Sequence, residues 1–282
     1  MWVLLSALCL RIISNPIANA CQKRLGETNS SLNVNLYISM LMCVACIYPA
    51  LLVDWTLYPT EFWGYVFFAG LFCSLGTICL IKALYYGELS ILGPLNSYKA
   101  IVGLVSAFVL LGEIPSKIAI LGVVLIVVGS LFLMAMPKTG ASAKNLKLSL
   151  LLRFAALIFT GCEASILKQI ILMSSPQVSF ILWCFCGLFF GAIFVPLFGR
   201  KFVLPKKKEW LQYLLAAVCL SIMQFTTNIV FSKIEVGTAL ALFQLSAIVN
   251  LFLGYKIFHE GNMLRKILGT IVMIIGAVLI LS

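Results

Sequence analysis

The sequence predicts an all-α polytopic membrane protein: ten transmembrane helices arranged as two inverted five-helix repeats. Three observations lead there. Hydrophobic residues make up 62% of the 282-residue chain and charged residues only 10%, with no room left for an ordinary soluble domain. The apolar runs reach roughly 17–25 residues, the length a helix needs to cross about 30 Å of hydrocarbon at 1.5 Å per residue. The chain also repeats itself at an offset of 147 residues: Pro49 recurs as Pro196, Trp63 as Trp210, Ser74 as Ser221, Glu88 as Glu235, Leu95 as Leu242, Glu113 as Glu260, Gly122 as Gly269 and Gly129 as Gly276. Duplicated hydrophobic units of this kind are a signature of secondary transporters, with the substrate site where the halves meet.

The spans fall near 2–22, 32–53, 62–86, 89–111, 117–136, 148–172, 177–198, 210–232, 236–258 and 265–281. None has the period-two alternation of a barrel strand. Residues 1–137 form the first five-helix unit, 138–147 a polar linker loop and 148–282 the second unit. Five spans per unit force the second copy to enter the membrane from the opposite side, which inverts its topology.

In the first span Ala18-Asn19-Ala20 has the look of a signal-peptidase site, but there is no basic n-region and Arg11 interrupts the apolar run, so the segment reads as a retained helix. Arg11, Asn15, Asn19 and Gln22 follow an i, i+4, i+8, i+11 pattern, one helical face. Pro16 lacks an N–H, so it is expected to break this helix at membrane depth, where irregular backbone is tolerated if it lines a cavity. The fourth span reads Gly93-Pro94-Leu95-Asn96-Ser97-Tyr98-Lys99; Asn96, Lys99, Gly103 and Ser106 share a face, with Lys99 near midspan. A charge at the bilayer centre costs about 2.5–3.5 kcal/mol on insertion scales, so Lys99 needs either Glu163 or an anionic ligand. Glu163, at the repeat position of Pro16, is the one carboxylate deep in a predicted span, and Thr160 and Lys168 are expected on its face of the sixth helix. Ser221, Gln224 and Asn228 lie at i, i+3 and i+7 in the eighth span, with Gln244 and Asn250 in the ninth. Such amides suit either a hydrated polar ligand or bonding between helices. The candidate cavity set is therefore Lys99, Asn96, Asn15, Arg11, Glu163, Lys168, Gln224, Asn228 and Gln244.

Other features read as structural. Nine of the ten cysteines lie inside spans, and Cys43-x-x-Cys46 and Cys184-x-Cys186 have no nearby His or carboxylate to complete a metal site, so they read as small packing residues. Glu88, Glu113, Glu235 and Glu260 stand at helix ends, where repetition points to a shared structural role, and His259 beside Glu260 reads as a local hydrogen-bonding group. Trp63, Trp210, Tyr58 and Tyr65 suit the aromatic belts at the membrane interfaces.

The net charge of +11 is no nucleic-acid patch. Thirteen basic residues, among them Lys23, Arg24, Arg200, Lys201 and Lys206 to Lys208, fall in loops on one side of the ten-span arrangement, against Lys117 and Lys233 on the other. Cytoplasmic loops carry the Lys/Arg excess, so both termini are expected outside the cytoplasm of a bacterial inner membrane.

Leu111-Gly112-Glu113 with Leu121-Gly122 and Gly129, and Phe258-His259-Glu260 with Leu268-Gly269 and Gly276, resemble the fourth and fifth helices of an EamA-type unit. The whole chain resembles a ten-helix, EamA-like member of the drug/metabolite transporter superfamily. Bacterial members commonly keep both termini cytoplasmic, with basic residues between helices two and three; here that loop carries Asp54 and Glu61, and the charges point the other way. The resemblance implies transport of a small solute across the bilayer.

The expected function is alternating-access secondary transport of a small organic anion, amino acid or phosphorylated metabolite. Arg11, Lys99 and Lys168 outnumber Glu163, and a net basic site in low dielectric favours anions or the carboxylate end of a zwitterion. Glu163 is the candidate proton-coupling group, because burial and a neighbouring cation act in opposite senses on a carboxylate. No P-loop is present for ATP drive, and no cofactor, metal ligand set or nucleophile–base pair marks an enzyme. The competing readings are proton-coupled efflux of lipophilic cations, which needs an aromatic cavity with an accessible carboxylate, and a non-transporting membrane subunit.

Overall fold

A computed structural model of the chain describes residues 2–87, 92, 94–132, 143–246, 248–249 and 263–281. The described helices are α1 (Trp2–Thr28), α2 (Ser31–Leu51), α3 (Thr60–Tyr86), α4 (Tyr98–Leu111), α5 (Lys117–Phe132), α6 (Ala143–Met173), α7 (Pro176–Leu197), α8 (Trp210–Phe231), α9 (Val236–Leu242) and α10 (Met263–Leu281). Among the described residues six helices are long and apolar enough to cross a membrane: α1, α2, α3, α6 from Leu146, α7, and α8 with the turn before it. Phe67, Phe68, Phe108, Val109, Phe189 and Ile193 stand exposed on the outside of the bundle, 41–72% accessible. An apolar exterior of this extent belongs against lipid.

Local sequence sets the helix ends. Ser30 caps α2 by accepting the Asn33 N–H at 3.3 Å, and Ser175 caps α7 by accepting the Val178 N–H at 3.2 Å. Pro176 at the start of α7 wastes no hydrogen bond there. Gly199, with φ of 65°, follows α7 in the left-handed conformation that a side chain disfavours.

Three sequence expectations are corrected. α1 runs unbroken through Pro16, because losing a single N–H removes one ladder bond from a 27-residue helix whose neighbours hold it in place. The irregular backbone lies instead before α4 and after α9, as short 3-10 segments at Pro94–Ser97 and Phe243–Leu245. Lys99 consequently sits in the first turn of α4, not midway along a 23-residue span. The expected linker loop is shorter than 138–147, because α6 already begins at Ala143; its residues 138–142, together with Glu88, Gly93, Asn250, Phe258, His259 and Glu260, lie outside the described residues.

The packing follows the repeat. α1 pairs with α8 and α3 with α6, contacts that exchange when each helix is replaced by its copy; α2 packs on α7, α4 on α9 and α5 on α10, each against its own copy. The α5–α10 crossing shows the symmetry atom by atom. A Cβ on Gly129 would lie 2.7 Å from the Gly269 carbonyl, and a Cβ on its copy Gly276 would lie 2.7 Å from the Gly122 carbonyl. Only glycine lets two backbones come this close, the usual device for helix association in lipid.

Candidate functional site

Between the two repeats lies a cavity of about 130 Å³. Arg11, Asn15, Asn19 and Gln22 line it, as the spacing along α1 requires. Asn35 and Ser39 come from α2, Ser74 and Thr77 from α3, and Asn96 and Lys99 from the irregular start of α4. The second repeat adds Arg153, Thr160 and Glu163 of α6, Trp183 of α7, Gln224 and Thr227 of α8, and Phe243 and Ser246 at the end of α9. Both members of five repeat pairs line it: Cys73 and Leu220, Thr77 and Gln224, Leu80 and Thr227, Asn96 and Phe243, Lys99 and Ser246. The pseudo-two-fold axis therefore passes through the cavity.

The charged groups are held but not satisfied. Arg11 is 7% exposed; its Nε donates to Thr227 Oγ1 at 2.8 Å and its guanidinium stands 4.6 Å over the Phe243 ring, while Nη1 has no partner. Glu163 is 6% exposed and its Oε1 is likewise unpartnered. The Trp183 ring N–H lies beside it, out of hydrogen-bond geometry. Lys99 interacts electrostatically with Glu163, Arg11 and Arg153. Among the described residues the ion pair present is elsewhere, between Lys168 and Glu113. Unpaired buried polar atoms cost about 1–3 kcal/mol each, and a ligand of matching chemistry would relieve that cost.

Arg153 is the cavity cation that the candidate set omits. Its Nε donates to the Leu92 carbonyl (3.1 Å) and its Nη2 to Asn96 Oδ1 (2.9 Å). Asn96 Nδ2 in turn donates to Gln244 Oε1 (3.2 Å), and Gln244 Nε2 to the Leu240 carbonyl (2.9 Å). This relay joins the two 3-10 segments and orients Arg153. Spacing on α6 could have found it, because Arg153, Thr160 and Glu163 lie at i, i+7 and i+10 on one face.

Three expected residues stand off the cavity. Lys168 is five residues from Glu163, about 140° around the helix at 100° per residue; it pairs with Glu113 and donates to the Ile234 carbonyl at 2.9 Å. Glu113 also accepts the Val236 N–H at 2.8 Å, so the pair ties the end of α4 to the start of α9. Asn228 is fully buried behind Gln224, accepting from its Nε2 at 3.0 Å and donating to the Pro176 carbonyl at 3.1 Å. Gln244 reaches the cavity only through Asn96. Beneath the site Leu167, Phe231, Leu240 and Phe243 belong to one apolar cluster, which floors the cavity toward the Lys168–Glu113 tie.

No curated protein matches the chain. A solved crystal structure of a protein superposes on it with a TM-score of 0.71, covering 99% of this chain and 94% of that one at 16% identity, a likeness of fold. A family model described as the EamA-like transporter family matches residues 1–135 and again 147–282, the two copies of the repeat. The chain thus belongs to the EamA-like transporter family, as a multi-pass membrane protein with its polar cavity between the two copies.

Proposed function

We propose that the chain is a secondary active transporter that moves a small polar solute by alternating access, one repeat rocking against the other. The carrying observation is the cavity at the repeat interface, where Arg11 Nη1 and Glu163 Oε1 are buried without partners and Lys99 and Arg153 add two further cations. Three cations against one carboxylate favour an organic anion, an amino acid or a phosphorylated metabolite. A volume of about 130 Å³ fits a solute of roughly benzene size, well below a typical drug.

In this reading residues 1–137 and 148–282 are inverted five-span units joined across residues 138–147, the termini face away from the cytoplasm of a bacterial inner membrane, and Glu163 carries the coupling proton. The same-copy packing of α2, α4 and α5 on α7, α9 and α10 supports the two-fold arrangement. The apolar floor and the Lys168–Glu113 tie would be the closed side, which has to part for the cavity to open the other way. Efflux of lipophilic cations is the second reading, favoured by the aromatic wall of Trp183, Phe231 and Phe243 beside Glu163.

Thermal stability of the purified protein against phosphometabolites, organic acids, amino acids and lipophilic cations separates the two, because a ligand for the folded state raises its Tm. Shifts from anions or zwitterions that disappear in Lys99→Ala are expected; shifts from cations alone, unaltered by Lys99→Ala, would put efflux first. In proteoliposomes, uptake of the solute so identified should vary with pH in wild type and lose that variation in Glu163→Gln. An unchanged pH profile would remove Glu163 from the coupling role. No flux of any solute from the pure protein would leave the non-transporting subunit as the better reading.

A further inference from the structure

A second concavity, a groove of about 580 Å³, lies outside the transport cavity. It is bounded by the α1–α2 turn, the last turns of α3 and the Phe198–Arg200 segment after α7. α1 ends at Thr28, α2 begins at Ser31, α3 ends at Tyr86 and α7 ends at Leu197, so the groove opens at one end of the bundle. α3 separates it from the transport cavity: Cys73, Ser74, Thr77 and Leu80 face the cavity, and Leu75, Ile78 and Lys82 face the groove.

Its polarity is graded along α3. The rim carries Lys82 and Arg200, both exposed, with Glu27 and the hydroxyls of Thr28 and Ser31. Lys82, Arg200 and Glu27 form no ion pair among the described residues. Among the lining residues two cations stand against one carboxylate; behind them Glu209 accepts from Thr28 Oγ1 at 3.1 Å and Asn29 Nδ2 at 3.3 Å, its charge offset by the adjacent Lys206. Tyr85 and Tyr86 flank it, their rings 4.9 Å apart, the residue type that settles at headgroup depth. Further in, Ile78, Leu75 and Phe198 make an apolar wall. From Lys82 to Leu75 the wall descends about 10 Å at 1.5 Å per residue.

A cationic rim above an apolar wall, on the surface of a membrane-spanning bundle, matches one ligand along its length. We propose that this groove binds an anionic phospholipid, with Lys82 and Arg200 on the headgroup phosphate and Ile78 and Leu75 along an acyl chain. Basic recesses at the interfacial ends of transmembrane helices hold anionic headgroups by this logic. The rim lies at the same end as Lys206–Lys208, because Thr28 of the rim donates to the neighbouring Glu209 at 3.1 Å.

Native mass spectrometry of the delipidated, detergent-purified protein tests the assignment, with phosphatidylglycerol and phosphatidylcholine of identical chains offered in equal amounts. Wild type is expected to retain phosphatidylglycerol at least fivefold over phosphatidylcholine, and Lys82→Ala/Arg200→Ala to bring the ratio to near one. Both side chains are exposed, so the variant should keep its Tm in detergent; Lys82→Arg/Arg200→Lys, which preserves the charge, should restore the preference. Equal retention of the two lipids by wild type, or a preference unaltered in the double-alanine variant, would falsify the proposal. Inorganic phosphate identifies the source: if it displaces phosphatidylglycerol at millimolar concentration the groove is a free-anion site and the lipid assignment fails, whereas retention of the lipid supports the acyl-chain contact.

Discussion

The α5–α10 crossing and the central cavity lie on the same pseudo-two-fold axis and treat the repeat in opposite ways. At the crossing both copies keep their glycines, Gly122 and Gly269, Gly129 and Gly276, and Gly129 approaches the Gly269 carbonyl as Gly276 approaches the Gly122 carbonyl, with the apolar neighbours Ile126 and Met273 differing only in side-chain type. At the cavity every repeat pair differs. Thr77 has Gln224 as its counterpart, Asn96 has Phe243 and Lys99 has Ser246, while Glu163 stands where the first copy has Pro16 and Arg153 where it has Ser6. Close packing about a two-fold needs the same shape twice, so both copies keep the residue. Recognition of a small asymmetric solute needs different groups on its two sides, so the copies diverge there. The glycines kept in both copies mark the close crossing, and the polar groups lining the cavity are not shared between the copies.

The largest effect expected from this contrast is at the crossing. Gly129→Val would drive a side chain into the Gly269 carbonyl and the Met273 backbone N, 2.7 and 2.9 Å from an added Cβ, and backbone cannot step aside as a side-chain tip can. A loss of about 3 kcal/mol is expected, the upper end for overpacking. Gly276→Val meets the Gly122 carbonyl at the same 2.7 Å, with side-chain atoms of Ile126 and Leu125 at 3.0 Å, and should cost nearly as much. Thermal melts of the two single variants check this; a large drop in one and none in the other would break the symmetry argument.

The next effect tests the asymmetric side. Lys99→Ser gives both copies the same residue, matching Ser246 with a second serine across the axis without adding bulk. Uptake efficiency of the identified solute should fall about 30-fold, or about 2 kcal/mol at 1.4 kcal/mol per tenfold, while the Tm holds or rises because a cation standing near the like charges of Arg11 and Arg153 has been removed. A drop in Tm with transport retained would make Lys99 a structural residue.

How far this contrast could be read in advance follows from what is one-dimensional. Hydrophobic length and the 147-residue offset are properties of the string, so the helices and the repeat were legible, as was the α1 face carrying Arg11 and Asn15. Arg153 was hidden because a basic residue near the start of a span resembles an interfacial anchor; only its register with Thr160 and Glu163 sets it apart. Lys168 was misplaced because its nearness to Glu163 in sequence says nothing of the 140° between them, and its partner Glu113 comes from the other repeat. Pro16 shows the limit of local rules, since tertiary packing carries α1 through a proline that isolated helix chemistry would break. The Asn96–Gln244 contact was beyond reach altogether: the two residues are 148 apart, one step out of the repeat register, and meet only because both 3-10 segments depart from regular helix.

That contact supports the smallest of the expected effects and the sharpest test of how the asymmetry is built. Gln244 does not line the cavity; it holds Asn96, which holds the Arg153 guanidinium. Gln244→Leu keeps the volume near constant and leaves Asn96 Nδ2 without its acceptor, a loss of about 1 kcal/mol for one neutral hydrogen bond. Felt through Arg153, the change should appear as a rise of about fivefold in the KM for an anionic solute with the maximal rate little altered. Arg153→Ala should show the same KM defect, larger, and adding Gln244→Leu to it should change nothing further, since the relay would then have nothing to orient. Additive defects in the double variant would mean that Gln244 acts on the solute by another route, and that the polar chain between the two 3-10 segments serves packing alone.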